Sequence, residues 1–280
     1  MNISFFNFLF GTKLITEDKI HDFVADTNAK RICFSRIQKH PLWKTSDGEN
    51  MLTVPFGESI GTLLKEQTSV ILRKSKKGKY YSKLSAEDYN KVTSFISSYS
   101  DVVFLRDLLD CSVALSLNFE DDMVTHTPVG LLEKKAKYEY NREAIDQLAT
   151  LVDEFIGNNP LYKNADCICA VPPTKAGEQN LPISILEKLS QFNGKNISSA
   201  VEWKSKTESL KNADGTDKLE ILKKSGFCIT DGTDIKGKDI ILVDDLYMSG
   251  TTLQYVAMKL KEAGARKVFG LCFVKSLSNK

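Results

Sequence analysis

One stretch of the sequence constrains the fold more than any other. Residues 240–243 (Ile-Ile-Leu-Val) are apolar and mostly β-branched, and they run directly into the adjacent acids Asp244 and Asp245. A turn of small residues follows (Ser249, Gly250, Thr251, Thr252), after which Leu253, Val256, Ala257 and Leu260 recur at helical spacing until Gly264 supplies a stop. Residues 267–274 form a second apolar run. Strand, helix and strand joined this closely make a parallel pair with a right-handed crossover. The C-terminal half is therefore expected to be α/β, with its ligands beyond the carboxyl ends of the strands.

Upstream, Ile145, Leu148, Val152 and Phe155 predict a helix over 141–156, and Gly157 and Pro160 end it. Residues 165–171 look like a buried strand that closes on Pro172 and Pro173, and a second helix is expected over 182–192. The polar residues 204–224 are expected to form a long loop. In the N-terminal half, 69–72 and 79–81 suggest a hairpin about the turn 75–78, and 87–99 a helix. The chain has 280 residues, 42% of them hydrophobic, which is enough for two domains. The division expected is 1–122, a smaller α+β or mostly β accessory or hood domain, and 123–280, the α/β domain.

Charge and cysteine content narrow the class. A formal net charge of +2 gives no global nucleic-acid signature, so any basic patch must be local. One candidate is 73–83, where Arg73, Lys74, Lys76, Lys77, Lys79 and Lys83 interleave with Tyr80 and Tyr81. That pattern suits a phosphate backbone with stacked bases, and equally a hairpin edge that lysines protect from aggregation. The six cysteines are scattered, and we expect them reduced and buried in a cytoplasmic protein. Cys167 and Cys169 would share one strand face, but no second pair follows at zinc-site spacing. No run approaches the length of a membrane span, and residues 5–15 lack the basic flank and cleavage site of a signal peptide. Phe5, Phe6, Phe8 and Phe10 suit a core or a homodimer surface, and His21, His40 and His126 stand alone.

The acids and the turn together suggest a ligand. Open backbone N–H groups, hydroxyls and the positive end of a helix dipole suit a phosphate monoester. Paired carboxylates, which only accept when ionised, suit the vicinal hydroxyls of a ribose. A 5-phosphoribosyl group satisfies both. A phosphoacceptor pair of receiver type would not need the Ser-Gly-Thr-Thr turn, and the glycine patterns of a P-loop and of a dinucleotide fold are absent.

Residues 241–253, Ile-Leu-Val-Asp-Asp-Leu-Tyr-Met-Ser-Gly-Thr-Thr-Leu, resemble the phosphoribosyl-pyrophosphate (PRPP) motif of type I phosphoribosyltransferases. Residues 125–280 are most similar to the ComF/amidophosphoribosyltransferase-like branch; residues 1–120 resemble nothing recognised. The resemblance implies a Rossmann-like parallel sheet, with Asp244 and Asp245 on the ribose 2- and 3-hydroxyls and on Mg²⁺. It also implies a 5-phosphate site at Met248, Ser249, Gly250, Thr251 and Thr252, and Thr174 and Lys175 facing the pyrophosphate. Two departures accompany it. Met248 stands where purine-salvage members carry a carboxylate, and residues 176–180 replace an Arg-rich stretch.

The activity so implied is displacement of pyrophosphate at the anomeric carbon by a nitrogen nucleophile, with Asp244, Asp245 and Lys175 as the catalytic set. Two other expectations stay open. One is a non-catalytic PRPP or nucleotide sensor that controls a partner through the N-terminal domain. The other is a DNA-associated accessory protein of ComF type.

Overall fold

The structure, a computed structural model, describes residues 13–173, 180–192, 194–205 and 215–277. The N-terminal half runs α1 (Glu17–Ala25), β1 (Arg31–Cys33), β2 (Leu42–Lys44), β3 (Asn50–Val54), α2 (Glu58–Thr68), β4 (Arg73–Lys74), β5 (Tyr80–Leu84), α3 (Ala86–Ser98), β6 (Val103–Leu105) and β7 (Cys111–Leu117). It continues through α4 (Pro128–Tyr138), α5 (Arg142–Asn158), α6 (Pro160–Lys163), β8 (Cys167–Ala170), α7 (Leu181–Leu186) and β9 (Val201–Trp203). The last elements are α8 (Gly215–Ser225), β10 (Phe227–Ile229), β11 (Asp239–Tyr247), α9 (Thr251–Glu262) and β12 (Lys267–Lys275).

The central sheet has six strands in the order β1-β6-β7-β12-β11-β8. The pairs β7/β12, β12/β11 and β11/β8 are parallel, whereas β1 and β6 are antiparallel to their neighbours. The fold is thus mixed α/β with a mostly parallel sheet. The four parallel strands read as nearly continuous apolar runs because both of their faces are covered. On one face α2, α3, α4, α5 and α7 bury Leu63, Phe95, Leu148, Val152 and Ile185 against Val113, Ile241 and Phe269. On the other, α1, α8 and α9 bury Ile20, Leu222, Val256 and Leu260 against Ile240, Leu242 and Cys272. A separate antiparallel sheet, β2-β3-β5-β4, supplies the α+β character of the N-terminal half, and β9 and β10 form a two-stranded ribbon.

Local sequence explains the helix boundaries. Ser85 and Asn141 accept from backbone N–H groups at the starts of α3 and α5, and Thr127, followed by Pro128, accepts from Gly130 N at the start of α4. Gly130 itself permits a close approach, since a Cβ there would lie 2.1 Å from the Asn118 carbonyl oxygen.

Several expectations need correction. The boundary placed at 122/123 falls inside one hydrogen-bonded sheet, because β7 pairs along its length with β12. The first hairpin strand lies at Arg73–Lys74 and not at 69–72, although the turn 75–78 holds through a bond from Ser75 N to Lys79 O of 2.7 Å. The helix expected over 182–192 stops at Leu186, and a 3₁₀ turn covers Ser190–Phe192. The stretch 204–224 is not all loop: its end folds into α8, anchored by buried Leu219 and Leu222, while 206–214 lie outside the described residues. Residues 5–10, with their four phenylalanines, are also outside them.

All six cysteines are free thiols, five of them buried. Among the described residues, no helix is long and apolar enough to cross a membrane.

Candidate functional site

The crossover expected over 239–274 is present as β11, α9 and β12, but β11 extends four residues beyond the apolar run, so both acids belong to the strand. Successive side chains of a strand project to opposite faces. Asp245 accordingly turns toward α4, and Asp244 toward the α9 side, while both line one cleft at the sheet's carboxyl edge. The cleft has a volume of about 410 Å³, and its wall includes Met248, Ser249, Gly250, Thr251 and Thr252. Two of the predicted groups, the acids and the turn, are therefore brought together. Thr174 and Lys175 lie outside the described residues.

The turn is shaped by Tyr247 and Gly250. Gly250 sits at φ +78° as the N-cap of α9, and a Cβ there would come within 2.1 Å of Tyr247 Oη. Only glycine meets both conditions without strain. The N-cap Gly250 makes no side-chain cap hydrogen bond, Thr251 N donates only weakly to Ser249 Oγ at 3.5 Å, and the first turn of α9 lines the cleft. Ser249 Oγ and Thr251 Oγ1 are 2.9 Å apart and hydrogen-bonded to each other. Met248 is 45% exposed, whereas Thr251 is buried.

Support for the turn comes from the N-terminal half. Tyr247 Oη donates to Asp107 Oδ2 at 3.4 Å, and Asp107 also accepts from Ser112 Oγ and Leu109 N, each at 3.0 Å. Burial pushes the Asp107 carboxyl up to about 6, against the pull of the Lys13 ammonium and of these donors. Gln254 joins the same region by accepting from Leu108 N at 3.2 Å and donating to Gly250 O at 3.2 Å. Sequence reasoning missed these supports. Asp107, flanked by Leu105, Leu108 and Leu109, offered only the weak signal of an acid inside an apolar stretch.

The other wall comes from α4. Lys137 Nζ lies 2.6 Å from Asp245 Oδ2 and 3.7 Å from Glu133 Oε1, and Glu133 is only 3% exposed. Burial pushes the Glu133 carboxyl up to about 7, with Lys137 opposing and Asp245 adding to the rise. Burial alone would lower the Lys137 ammonium, but the Asp245 and Glu133 charges outweigh it and hold it above its ordinary value. The Asp244 carboxyl is raised above its ordinary value by burial first and by the Asp245 charge second. Tyr138 and Lys218 complete the wall. The Glu133/Lys137 pair was legible as an i,i+4 acid–base spacing, but nothing local to it pointed to β11.

Among the described residues, no group of three or more His, Cys, Asp or Glu side chains is arranged to hold a metal ion. The donors present are two hard carboxylates, one of them already paired with Lys137.

A family model described as the phosphoribosyl transferase domain matches residues 184–279. The match spans β11, the turn, α9 and β12, so the C-terminal part of the chain carries such a domain. No curated protein gives a significant match to the chain.

Proposed function

We propose that the chain binds PRPP at this cleft and transfers its phosphoribosyl group to a nitrogen nucleophile. The observation that carries the reading is the shared wall: two adjacent carboxylates stand beside a helix start whose N-cap is a glycine, reached through a hydroxyl-rich turn. The N–H groups of that turn, with Ser249, Thr251 and Thr252, suit the 5-phosphate, and Asp244 and Asp245 suit the ribose hydroxyls. The matched domain supports the same ligand class.

In the reaction so proposed, the nitrogen lone pair forms the new bond to the anomeric carbon. The bond from that carbon to the diphosphate oxygen breaks, its electrons leave with pyrophosphate, and the nitrogen's proton passes to solvent. Charge builds up on the ribose ring, so the protein's contribution is positioning and electrostatic stabilisation by Asp244 and Asp245. Lys175 and Thr174 would face the diphosphate. Hard carboxylate oxygens fit Mg²⁺, and Asp244 and Asp245 would hold it with the remaining ligands drawn from the diphosphate. When bound, the ion supplies neutralisation of the leaving group's charge. The free cysteines agree with a cytoplasmic setting.

One observation favours a second reading. Lys137 already engages Asp245, so the resting site is partly self-neutralised, as a binding-only sensor of PRPP or a nucleotide would tolerate. Thermal shift with PRPP and Mg²⁺, followed by pyrophosphate release against a panel of bases and amines, separates the readings. A shift with release, both lost in Asp244→Asn/Asp245→Asn, is the transferase. A shift with no release is the sensor, and no shift overturns both.

A further inference from the structure

The outer face of the four-stranded sheet carries side chains that the cleft does not use. Leu52, Val54, Ser82 and Leu84 are buried, so strand alternation turns Met51, Thr53, Tyr81 and Lys83 outward. The register sets Trp43 beside Met51 and Met51 beside Lys83; one rung along, Thr53 stands beside Tyr81 and Tyr81 beside Arg73. Trp43 is 48% exposed, and its Nε1 donates to Thr53 Oγ1 at 3.0 Å, which fixes the indole on the sheet.

The charge beside these rings is one-sided. Residues 73–83 hold six cations and no acid, in a chain whose net charge is only +2. All six, Arg73, Lys74, Lys76, Lys77, Lys79 and Lys83, are exposed. Lys83 pairs with Glu49, and Lys74 sits 5.6 Å over the Tyr80 ring. At the other edge Thr53 also lines a pocket of about 470 Å³ with Arg31, Arg36 and Lys39. Arg36 is paired there with Glu120 and Asp121, and Arg31 Nε is buried with no hydrogen-bond partner among the described residues. Protection of an edge strand accounts for Arg73 and Lys74 on β4. It does not account for an exposed indole on β2 and a tyrosine on the inner strand β5.

We propose that this face binds single-stranded nucleic acid, with the lysines of the β4–β5 turn along the phosphates and the Trp43 and Tyr81 rings under unstacked bases. Two strand spacings separate β2 from β5, which sets the rings roughly 10 Å apart across the sheet, enough for a base on each. A duplex keeps its base faces stacked inside, so the rings select single strands.

The test titrates the full-length protein into a fluorescein-labelled 20-nucleotide oligothymidylate at several salt concentrations. The expected result is binding whose logarithm falls linearly with the logarithm of salt, accompanied by quenching of tryptophan fluorescence. Trp43 and Trp203 are the two tryptophans, and Trp203 is packed against Phe227 and Tyr255, so Trp43→Phe removes most of the quenching. Lys76→Gln/Lys77→Gln/Lys79→Gln lowers the salt slope by about 0.7 for each phosphate that is no longer neutralised. Trp43→Ala/Tyr81→Ala weakens binding about 10- to 100-fold with the slope unchanged. Absence of binding at low salt overturns the proposal. So does binding of heparin, anionic vesicles or a duplex of equal length as tightly as the single strand, without quenching. Should the alanine variants melt early, the quenching difference between the parent protein and Trp43→Phe still decides.

Discussion

Lys137 Nζ rests 2.6 Å from Asp245 Oδ2 while its own helix holds Glu133 buried one turn back, so a single ammonium compensates an acid in the cleft and an acid in the interior. Removing the cation strands the interior acid. Lys137→Met is expected to cost about 1–3 kcal/mol, less than for a fully buried pair because Lys137 remains partly open to solvent. Glu133→Gln in that background should recover most of the loss. Urea unfolding of the two single variants and the double variant measures this, and a purely additive cycle would refute it.

Gly250→Ala meets both a left-handed backbone and the Tyr247 hydroxyl. The expected cost is roughly 1–3 kcal/mol of strain, together with weakened binding of ribose 5-phosphate, because the helix start must shift. Calorimetric titration with ribose 5-phosphate and a melting curve check the two effects separately. Gly157→Ala, where a Cβ meets nothing within 4 Å, is the matched control.

Stability should depend on pH in a definite direction. Asp107 is raised from 3.8 to about 6 and Glu133 from 4.5 to about 7, so between those limits the folded chain holds protons that the unfolded chain has released. Their contribution is fully present below about pH 4 and is lost as pH rises through 6 and 7. Lys275, lowered from 10.5 to about 7 chiefly by burial, works in the opposite window, and its contribution grows from pH 7 toward 10.5. Unfolding free energy measured across pH 4–10 should therefore dip near neutrality. Asp107→Asn should flatten only the acid limb, and an unchanged limb would count against the assignment.

Tyr247→Phe removes the hydroxyl donor to Asp107 and leaves that buried acid with the Ser112 and Leu109 donors. A loss of about 1 kcal/mol is expected by denaturant unfolding. Ligand affinity should fall as well, since Tyr247 also bounds the space at Gly250.

How far the sequence disclosed this molecule depended on the span over which each element finds its partner. The β11–α9–β12 crossover and the cleft turn were legible because strand, loop and helix signals are consecutive, and α5 because Ile145, Leu148, Val152 and Phe155 recur at helical spacing before the stop at Gly157 and Pro160. By contrast β1, β6 and β7 gave no usable signal. Two of these are three-residue strands, and β7 joins a partner more than a hundred residues away. The same distance hid Asp107 beneath Tyr247 and Lys137 beside Asp245, neighbours that no local spacing encodes.

Strand β12 comes after both of its neighbours in the sequence, yet it sits between them. While a ribosome is still making the preceding residues, β7 and β11 each present an unsatisfied ladder edge, and nothing yet made can join them. Completion of the sheet therefore waits until the strand that bridges them has emerged, so the turn over 248–252 gains its full setting only after β12 has been made.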